Sequence, residues 1–476
     1  MSEKRTEALL VTPLLPLKTG LATYALRVLE NTSEFVNWTV AYTNGSDPQS
    51  LPSNVRSLPV DQLRRGELPS VRIFQIGNSP HCFPVVQALY RFSGTALLHE
   101  TVIHHMLRHC YLESNRWEDY RRELLFCYGP AAEAVEKDLS NGNIPAAEYD
   151  RKLKQYPLIG RVLHASKSAV CLNTYAASIV RRSYPEGNVL TIGHPLSPVP
   201  ELDIPPKPFS LCFGMLGTNH HGRNLEKIIE AVELLRSDYN DAGLVLIGEN
   251  YPEGLPDWTI RTGRLEEMEY QSWIRTLDYV FDMRYPTCGE TSGSLLEAMR
   301  AGIPSILAAT GAFINIPSDA VIRIPPDSIV QGIHAAVVLL ESRSDIRNTI
   351  SKNGASYAND TGSLDRLLSD WKRVLRIPEI PPVDLTALDN SISISPAWHE
   401  LRTGFTRDLN TVPLTWKFSG TAELEGPESS SGATVTAWGE GTVNNITLTI
   451  EPSVISATGK VITFRGRGWV SNVIWK

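Results

Sequence analysis

The chain lacks the marks of several protein classes. In its 476 residues, no uninterrupted apolar run approaches the ~20 residues that a transmembrane helix requires. The opening residues, MSEKRTEALLVTP, lack the long apolar region of a signal peptide. The six cysteines form no CxxC pair and no metal-ligand spacing, and a formal net charge of -7 argues against broad nucleic-acid binding. We therefore expect a cytoplasmic protein with reduced thiols, no bound metal and no nucleic-acid partner.

Two long stretches of the chain alternate short apolar strands with helices. The hydrophobic fraction of 42% and the charged fraction of 20% are those of a soluble globular protein, and the length suits about three domains. The alternation predicts two doubly wound, Rossmann-like α/β domains with parallel sheets, over residues 1–195 and 209–376. Residues 195–208 contain six prolines, which is typical of a linker between the two domains.

The composition changes after residue 376. Residues 377–412 are predicted to be a second linker. Residues 413–476 are predicted to form a small antiparallel β domain, because apolar and polar residues alternate between Gly, Ser and Asn turns. Its tryptophans are Trp416, Trp438, Trp469 and Trp475. They either stack on sugar rings or fill the core, and core packing is favoured because a small domain has little else to bury.

The most informative segment runs from Asp282 to Ala312, DMRYPTCGETSGSLLEAMRAGIPSILAATGA. Its pattern predicts a strand end, a loop rich in glycine and hydroxyl groups, a helix, a turn and a second strand. Such a loop at a helix N-terminus leaves backbone N–H groups unpaired, which suits a phosphate or diphosphate. Glu290 and Glu297 can lie two turns apart on one helix face. A carboxylate there can accept hydrogen bonds from two neighbouring hydroxyl groups of a sugar or ribose.

This segment resembles the donor-binding signature of retaining family-4 glycosyltransferases, which have the glycosyltransferase-B fold. Their signature is a Glu, seven further residues, and a second Glu that opens EAMAxGxP; here Glu297–Pro304 reads EAMRAGIP. The first half departs, because Gly289 stands in the place of the first Glu and Glu290 is displaced by one. The stretch RYPTCGETSG, residues 284–293, looks like a bacterial polysaccharide-type subgroup of the family.

The resemblance implies an enzyme that moves a sugar from a nucleotide-diphosphate sugar to a glycan or glycolipid acceptor, in bacterial surface polysaccharide synthesis. It implies retention of configuration, with attack on the face from which the diphosphate leaves, and it implies no cofactor and no metal. The acceptor would bind the first domain and the donor the second, with the active site in the cleft. A terminal helix packs back onto the first domain in this fold, and Leu364–Arg376 is the candidate.

The resemblance also implies roles for individual residues. The donor-binding residues would be Gly20, Arg223, Thr291, Ser292, Gly293 and Glu297. The catalytic residues would be His99, Glu290 and Arg223, and the acceptor-side residues would be Asn78 and His81. Glu297 would hold the ribose, and Glu290 with His99 would hold the transferred sugar. Gly20, in a loop that opens a helix, would face the donor phosphate.

Two of these assignments depend on partial matches. ALLHETVIHHML, around His99, looks like the family's LHD…LHH with Glu100 in place of the usual Asp, and a neutral His can hydrogen-bond a sugar hydroxyl near pH ~7. Family members carry a basic pair that clamps the diphosphate after the first strand of the second domain. Met215 occupies the first of these positions, whereas Arg223 fits the second and offers donors in a fixed fork. Asn78 could equally serve only a turn.

Two other functions are compatible with the pattern. A non-catalytic glycan-binding or scaffold protein would keep the frame, and the displaced Glu290 and Met215 favour it. A sugar-nucleotide epimerase can share the fold and would convert the donor without an acceptor. Basic and aromatic residues between 104 and 125 could contact a membrane surface, giving peripheral association. The acids of that stretch match its bases in number, which favours an ordinary solvated helix.

Overall fold

Two α/β domains, each built on a parallel sheet, make up most of the chain described by a computed structural model. Side chains are described for residues 5–17, 19–140, 145–183, 187–197 and 202–375, apart from a few at helix ends. Beyond residue 393 the backbone of five strands is described. Among these residues, none of the helices combines the length and the apolar character needed to cross a membrane.

The first domain has seven strands in the order β3-β2-β1-β4-β5-β6-β7, all parallel. Its elements are β1 (Thr6–Thr12), α1 (Gly20–Thr32), β2 (Val36–Tyr42), β3 (Arg56–Pro59), β4 (Val71–Ile76), α2 (Phe83–Phe92), β5 (Gly94–Leu98), α3 (His104–Glu113), α4 (Trp117–Tyr128), α5 (Ala132–Ser140), α6 (Ala146–Gln155), α7 (Gly160–Ala165), β6 (Ser166–Cys171), α8 (Thr174–Ser183) and β7 (Asn188–Thr191). The predicted parallel sheet of this domain is confirmed.

The second domain has six parallel strands in the order β10-β9-β8-β11-β12-β13. Its elements are β8 (Leu211–Leu216), α9 (Leu225–Asp238), β9 (Ala242–Ile247), β10 (Thr259–Gly263), α10 (Glu267–Ile274), β11 (Tyr279–Asp282), α11 (Gly293–Arg300), β12 (Ser305–Ala308), β13 (Ile322–Ile324), α12 (Ile329–Ser342), α13 (Ser344–Gly362) and α14 (Leu364–Leu375). The second predicted parallel sheet is therefore present as well.

Strand β1 shows why these sheets are doubly wound. Neither face of this strand is polar along its apolar run. Leu9 and Val11 pack into one buried cluster, whereas Ala8 and Leu10 pack into another on the opposite side. Successive side chains of a strand point to opposite faces, and a strand buried on both faces reads as a continuous apolar run. Helices must therefore cover both faces of the sheet.

Helix α14 crosses back to the first domain, as expected for the terminal helix. Trp371, which is 1% exposed, packs edge-on against Trp38 of β2 with 5.7 Å between ring centroids. Leu367 and Val374 join the same buried cluster. An aromatic pair in this geometry adds about 1 kcal/mol to the burial of its apolar area. The end of the described α/β region is thus anchored on the domain in which the chain began.

The chain passes between the domains at two neighbouring places, after β7 and before α14. The Leu196 N–H donates to the carbonyl of Gly362 (3.1 Å). A Cβ at Gly193 would overlap the carbonyl of Thr361, and one at Gly362 would overlap Leu196. Glycine at both positions allows the two crossing segments to lie in direct contact.

The C-terminal segment contains an antiparallel sheet in the order β14-β15-β18-β17-β16. The strands are β14 (Ile394–Ala397), β15 (Lys417–Leu424), β16 (Thr434–Val443), β17 (Ile446–Thr458) and β18 (Val461–Ser471). The side chains of its four tryptophans lie outside the described residues, as does most of the linker predicted at 377–412. The separate β domain at 413–476 stays a prediction.

Candidate active site

The loop that follows β11 lies against the first domain, at the carboxyl ends of both sheets. Thr101, just after β5, donates both its N–H and its hydroxyl to the carbonyl of Cys288 (2.8 and 3.0 Å). Asn173, just after β6, donates to the carbonyl of Gly289 (3.0 Å). Ligands of open parallel sheets bind beyond the carboxyl ends of the strands. The motif segment and the strand ends of the first domain therefore form one cleft.

The carboxylate of Glu290 is held inside its own loop. Its Oε2 accepts hydrogen bonds from the Thr287 hydroxyl (3.0 Å) and the Cys288 N–H (2.7 Å), and its Oε1 lies 3.5 Å from Nη1 of Arg284. Burial raises the pKa of Glu290, but Arg284 and these hydrogen bonds outweigh burial and hold it below its usual range. The displaced Glu is therefore a fixed carboxylate near neutral pH.

Ser292 forms the N-cap of α11 and links that helix to two charged side chains. Its Oγ accepts from the Leu295 N–H (3.3 Å), donates to Asp282 (2.9 Å) and accepts from Arg284 (3.0 Å). Capping by a serine satisfies one of the free amides of the first helical turn. The remaining amides at this helix end, with the positive end of the helix dipole, favour an anion.

Thr291 and Gly293 face the first domain. The Thr291 hydroxyl donates to the carbonyl of Leu172 (3.1 Å) and accepts from Asn173 (2.9 Å). A Cβ at Gly293 would lie 2.9 Å from Cε1 of His194. Both residues thus lie at the predicted place, but the hydroxyl of Thr291 is engaged across the cleft. Their donor-binding role stays a prediction.

Arg223 is buried beneath the cleft, with 2% of its surface exposed. Its Nη1 donates to the carbonyl of Leu216 (2.6 Å), and its Nη2 lies 3.7 Å from Asp282. Its Nε has no hydrogen-bond partner among the described residues. Met215, at the other position of the family's basic pair, is fully buried in the core of the second domain. The diphosphate role of Arg223 stays a prediction.

Glu297 is also buried, and its partner comes from the other domain. Its Oε1 lies 3.2 Å from Nη2 of Arg27 in α1, and Arg27 also donates to the carbonyl of Pro195 (3.2 Å). Burial raises the pKa of Glu297, and Arg27 opposes that shift only in part. The carboxylate predicted to hold the ribose is therefore ion-paired in this conformation.

His99 presents a defined tautomer at the end of β5. Gln75 Nε2 donates to the carbonyl of Leu21 (2.9 Å) and lies 3.0 Å from Nε2 of His99. An amide nitrogen cannot accept, so His99 Nε2 is the acceptor and the ring proton sits on Nδ1. Burial, with His194 nearby, lowers the pKa of His99 to about 3. The ring is neutral and can donate from Nδ1.

The predicted residues of the first-domain loops have different surroundings. Asn78 uses its side chain locally: Oδ1 accepts from the Met106 N–H (3.0 Å) and Nδ2 contacts His105 (2.9 Å). His81 lies half-buried in a short turn, Pro80–Cys82. Gly20 opens α1 and is exposed, with open space where a Cβ would point. An acceptor role for Asn78 and His81, and a donor role for Gly20, stay predictions.

Three further charged residues of the cleft were not assigned a role from the sequence: Arg27, Glu100 and Lys154. Glu100 accepts from the Asn78 N–H (3.0 Å), and burial together with Glu290 raises its pKa to about 7. Glu100 stands where the family usually has Asp, and this position within the motif could have indicated that Glu100 lies in the cleft. Arg27 and Lys154 lie within helices at positions outside every motif, so the sequence carried no signal for them.

No metal centre is visible in the described part of the chain, where no cluster of three or more His, Cys, Asp or Glu could hold an ion. All six cysteines are free. Metal independence stays a prediction.

Comparison with known proteins identifies the frame that carries this cleft. No protein-family model and no curated protein matches the chain. Among solved structures, it is similar to sucrose-phosphate synthase from Thermosynechococcus elongatus, with a TM-score of 0.52 and 12% identity over 78% of this chain and 98% of that one. It is also similar to HepE from Anabaena in complex with UDP and glucose, with a TM-score of 0.51 and 11% identity over 78% and 99%. The two α/β domains thus have the glycosyltransferase-B arrangement.

Proposed function

We propose that the protein is a retaining, metal-independent glycosyltransferase that uses a nucleotide-diphosphate sugar as donor. One observation carries the proposal: the capped N-terminus of α11 and its loop, with the carboxylates of Glu290 and Glu297, contact the first domain at Arg27 and at Thr101, two residues after His99. Anion-binding amides, acceptors for vicinal hydroxyl groups and a neutral imidazole are what a nucleotide sugar requires.

The donor would lie along the second domain, as in the family that the sequence resembles. The ribose would bind Glu297 and the diphosphate would lie between the start of α11, Gly20 and Arg223. Glu290 and His99 would hold the transferred sugar. A His99 ring protonated on Nδ1 donates to a sugar oxygen without adding charge to the site.

Transfer would break the bond between the anomeric carbon and the diphosphate oxygen, and form a bond to an acceptor hydroxyl on the same face of the sugar. The hydroxyl proton would pass to the departing diphosphate oxygen, so no metal or cofactor enters the balance. Fixed amides at a helix N-terminus and a guanidinium stabilise the developing negative charge without reorganisation. Burial of Arg223 strengthens its field because the surroundings are poorly polarisable.

The acceptor is proposed to be a glycan or glycolipid in bacterial surface polysaccharide synthesis, on the cytoplasmic side. The RYPTCGETSG motif of residues 284–293 supports this acceptor, because it looks like the bacterial polysaccharide-type subgroup. HepE, one of the similar structures, was solved with UDP and glucose, so UDP-sugars are the first donors to test. Peripheral membrane contact stays an open prediction.

A non-catalytic scaffold is the second candidate, favoured by one observation. Met215 is buried in the core, and the guanidinium of Arg223 already donates to Leu216. Such a protein would bind a glycan without turnover. An epimerase would consume the donor alone.

The test is a thermal-shift and turnover assay with UDP, GDP and their sugar derivatives, without added metal. We expect one nucleotide to raise the Tm of the wild type, because a ligand that binds only the folded state stabilises it by about 2.7 kcal/mol at 100-fold Kd. Glu297→Gln and Arg223→Gln should abolish the shift, and the exposed Glu269→Gln should keep it. If no nucleotide binds, the transferase proposal fails. Conversion of the donor without an acceptor would make the protein an epimerase.

A further inference from the structure

The proposed donor site is short of positive charge on its own domain. A nucleotide-diphosphate carries at least two negative charges where it contacts the protein, and the family's first basic position is occupied here by the buried Met215. Arg223 shares its charge with Asp282, 3.7 Å away. Arg284 is likewise bound to Asp282 (3.0 Å) and lies near Glu290 (3.5 Å). A further cation would be needed to neutralise the departing diphosphate.

Lys154 brings an ammonium group into this region from the first domain. It lies in the last turn of α6, and only 5% of its side chain is exposed. Its Nζ donates to Asp150 (2.8 Å) and to the carbonyl of Pro286 (3.2 Å). A Cβ added at Gly222 would lie 2.6 Å from the same atom. Lys154 thus lies between the loop before α11 and the loop that carries Arg223.

A purely structural role leaves this arrangement poorly explained. Removing an ammonium group from water costs several kcal/mol, and a single surface-type ion pair does not offset that cost. The Asp150 carboxylate is shared with Nε2 of His105 (2.9 Å), so it does not serve Lys154 alone. An ammonium group has three donors, and the described contacts use two of them. A third donor is therefore available to a ligand.

The surrounding groups make this region suitable for an anion. Burial, together with the charges of Lys154, Arg223 and Arg284, lowers the pKa of His220 to about 4. Burial disfavours the charged form of Lys154, yet the nearby carboxylates of Asp150 and Glu290 raise its pKa. Lys154 therefore stays charged while His220 stays neutral. The positive charge of this region is therefore carried by Lys154, Arg223 and Arg284.

We infer that Lys154 binds the diphosphate of the donor, supplying from the first domain the charge that Met215 does not supply from the second. This inference rests on the proposed function and adds a residue to the same site. Because Lys154 lies on the opposite domain from Arg223, a bound diphosphate would contact both domains at once.

The test compares nucleoside diphosphates with monophosphates by calorimetry at fixed salt concentration, using UDP with UMP and GDP with GMP. Lys154→Met should weaken diphosphate binding by about tenfold or more and change monophosphate binding less than about twofold. Lys154→Arg should recover part of the loss. Lys152→Met is the matched control, because Lys152 lies in the same helix and pairs with Asp138 (2.7 Å); it should bind like the wild type.

Two outcomes of this comparison overturn the inference. If Lys154→Met binds UDP and GDP as tightly as the wild type, Lys154 does not contact the diphosphate. Equal losses for diphosphate and monophosphate mean that Lys154 only joins the domains. If Lys154→Met does not fold, the same comparison is made on Lys154→Gln, which keeps a donor for Asp150. If the wild type binds no nucleotide, the proposed function and this inference are both overturned. If the wild type and the Lys154 variants bind diphosphates equally well, only the inference is overturned.

Discussion

Arg27 of the first domain and Glu297 of the second domain form an ion pair across the cleft, with 3.2 Å between Nη2 and Oε1. Glu297 is the better matched of the two signature carboxylates, and its expected partner is a ribose. Its side chain is 6% exposed and that of Arg27 is 13% exposed, so the pair is largely removed from water. The same carboxylate can therefore either join the domains or bind a nucleotide.

We predict that Arg27→Met lowers the free energy of unfolding by about 2–4 kcal/mol, because it leaves a buried carboxylate without its partner. The double variant Arg27→Met/Glu297→Gln should recover most of that loss. Urea unfolding of the four proteins in the cycle gives the coupling energy. Arg56→Met, in the exposed pair with Glu7 (2.9 Å), is the control and should cost less than about 1 kcal/mol. A coupling near zero would show that the buried pair does not stabilise the fold.

We also predict that Arg27→Met binds UDP about tenfold more tightly than the wild type. The carboxylate no longer has to leave Arg27 before it accepts hydrogen bonds from a ribose, so the competing contact is removed. Calorimetric titration with UDP and GDP measures the change. A fall in affinity would mean instead that Arg27 itself binds the nucleotide.

Gly289 and Gly302 provide a matched pair for testing the motif loop. Both have a left-handed backbone, with φ of 80° and 78°. A Cβ at Gly289 would lie 2.6 Å from Thr101 Oγ1, whereas nothing lies within 4 Å of one at Gly302. Gly302→Ala should cost only the backbone strain, about 1–2 kcal/mol. Gly289→Ala should cost more and abolish transfer, because the loop must move away from the first domain.

Unfolding measurements and turnover assays on both variants check this prediction, and Thr101→Ala in the Gly289→Ala background should relieve part of the clash. Equal destabilisation by the two glycine substitutions would show that Thr101 moves away from the added Cβ at little energetic cost.

The stability of the protein should depend on pH through Glu100. Burial and Glu290 raise its folded-state pKa to about 7, from an ordinary value of 4.5. The folded state then holds the proton more tightly than the unfolded state. The contribution of Glu100 to the free energy of unfolding is therefore fully present below pH 4.5 and is lost as the pH rises through about 7. As the pH rises from about 5 to about 8, the free energy of unfolding of Glu100→Gln should therefore increase by about 2 kcal/mol relative to that of the wild type.

Urea unfolding of both proteins across that pH range measures the difference, with the exposed Glu269→Gln as control. Parallel pH profiles for the wild type and Glu100→Gln would show that Glu100 is already ionised in the folded state at pH 5.

Central strands could be predicted from the sequence because they are buried on both faces. The run ALLV of β1 is one example, and AGLVLI of β9, buried throughout, is another. Strands β3 and β10 could not be predicted in this way. They lie at the sheet edges and have mostly exposed or half-buried residues, so neither apolar alternation nor a continuous apolar run marks them.

The site divides along the same line. The positions of Glu290, Ser292 and Gly293 beside the cleft could be predicted because their loop and helix start are encoded within ten consecutive residues, whereas their roles stay predictions. Arg27 and Lys154 could not, because each acts across the interdomain cleft. An arginine or lysine on an amphipathic helix normally reads as a solvated residue, and nothing local distinguishes one that faces a second domain.

The two neighbouring crossings between the domains, at Gly193 and Gly362, limit how the cleft can move. A domain linked to its neighbour by one chain segment can rotate in any direction. A domain linked by two adjacent chain segments rotates mainly about the line that passes through both. The ion pair of Arg27 with Glu297, the contact of Thr101 with Cys288 and that of Lys154 with Pro286 would then part together during opening. Admission of the proposed donor would then be a single collective event rather than three independent ones.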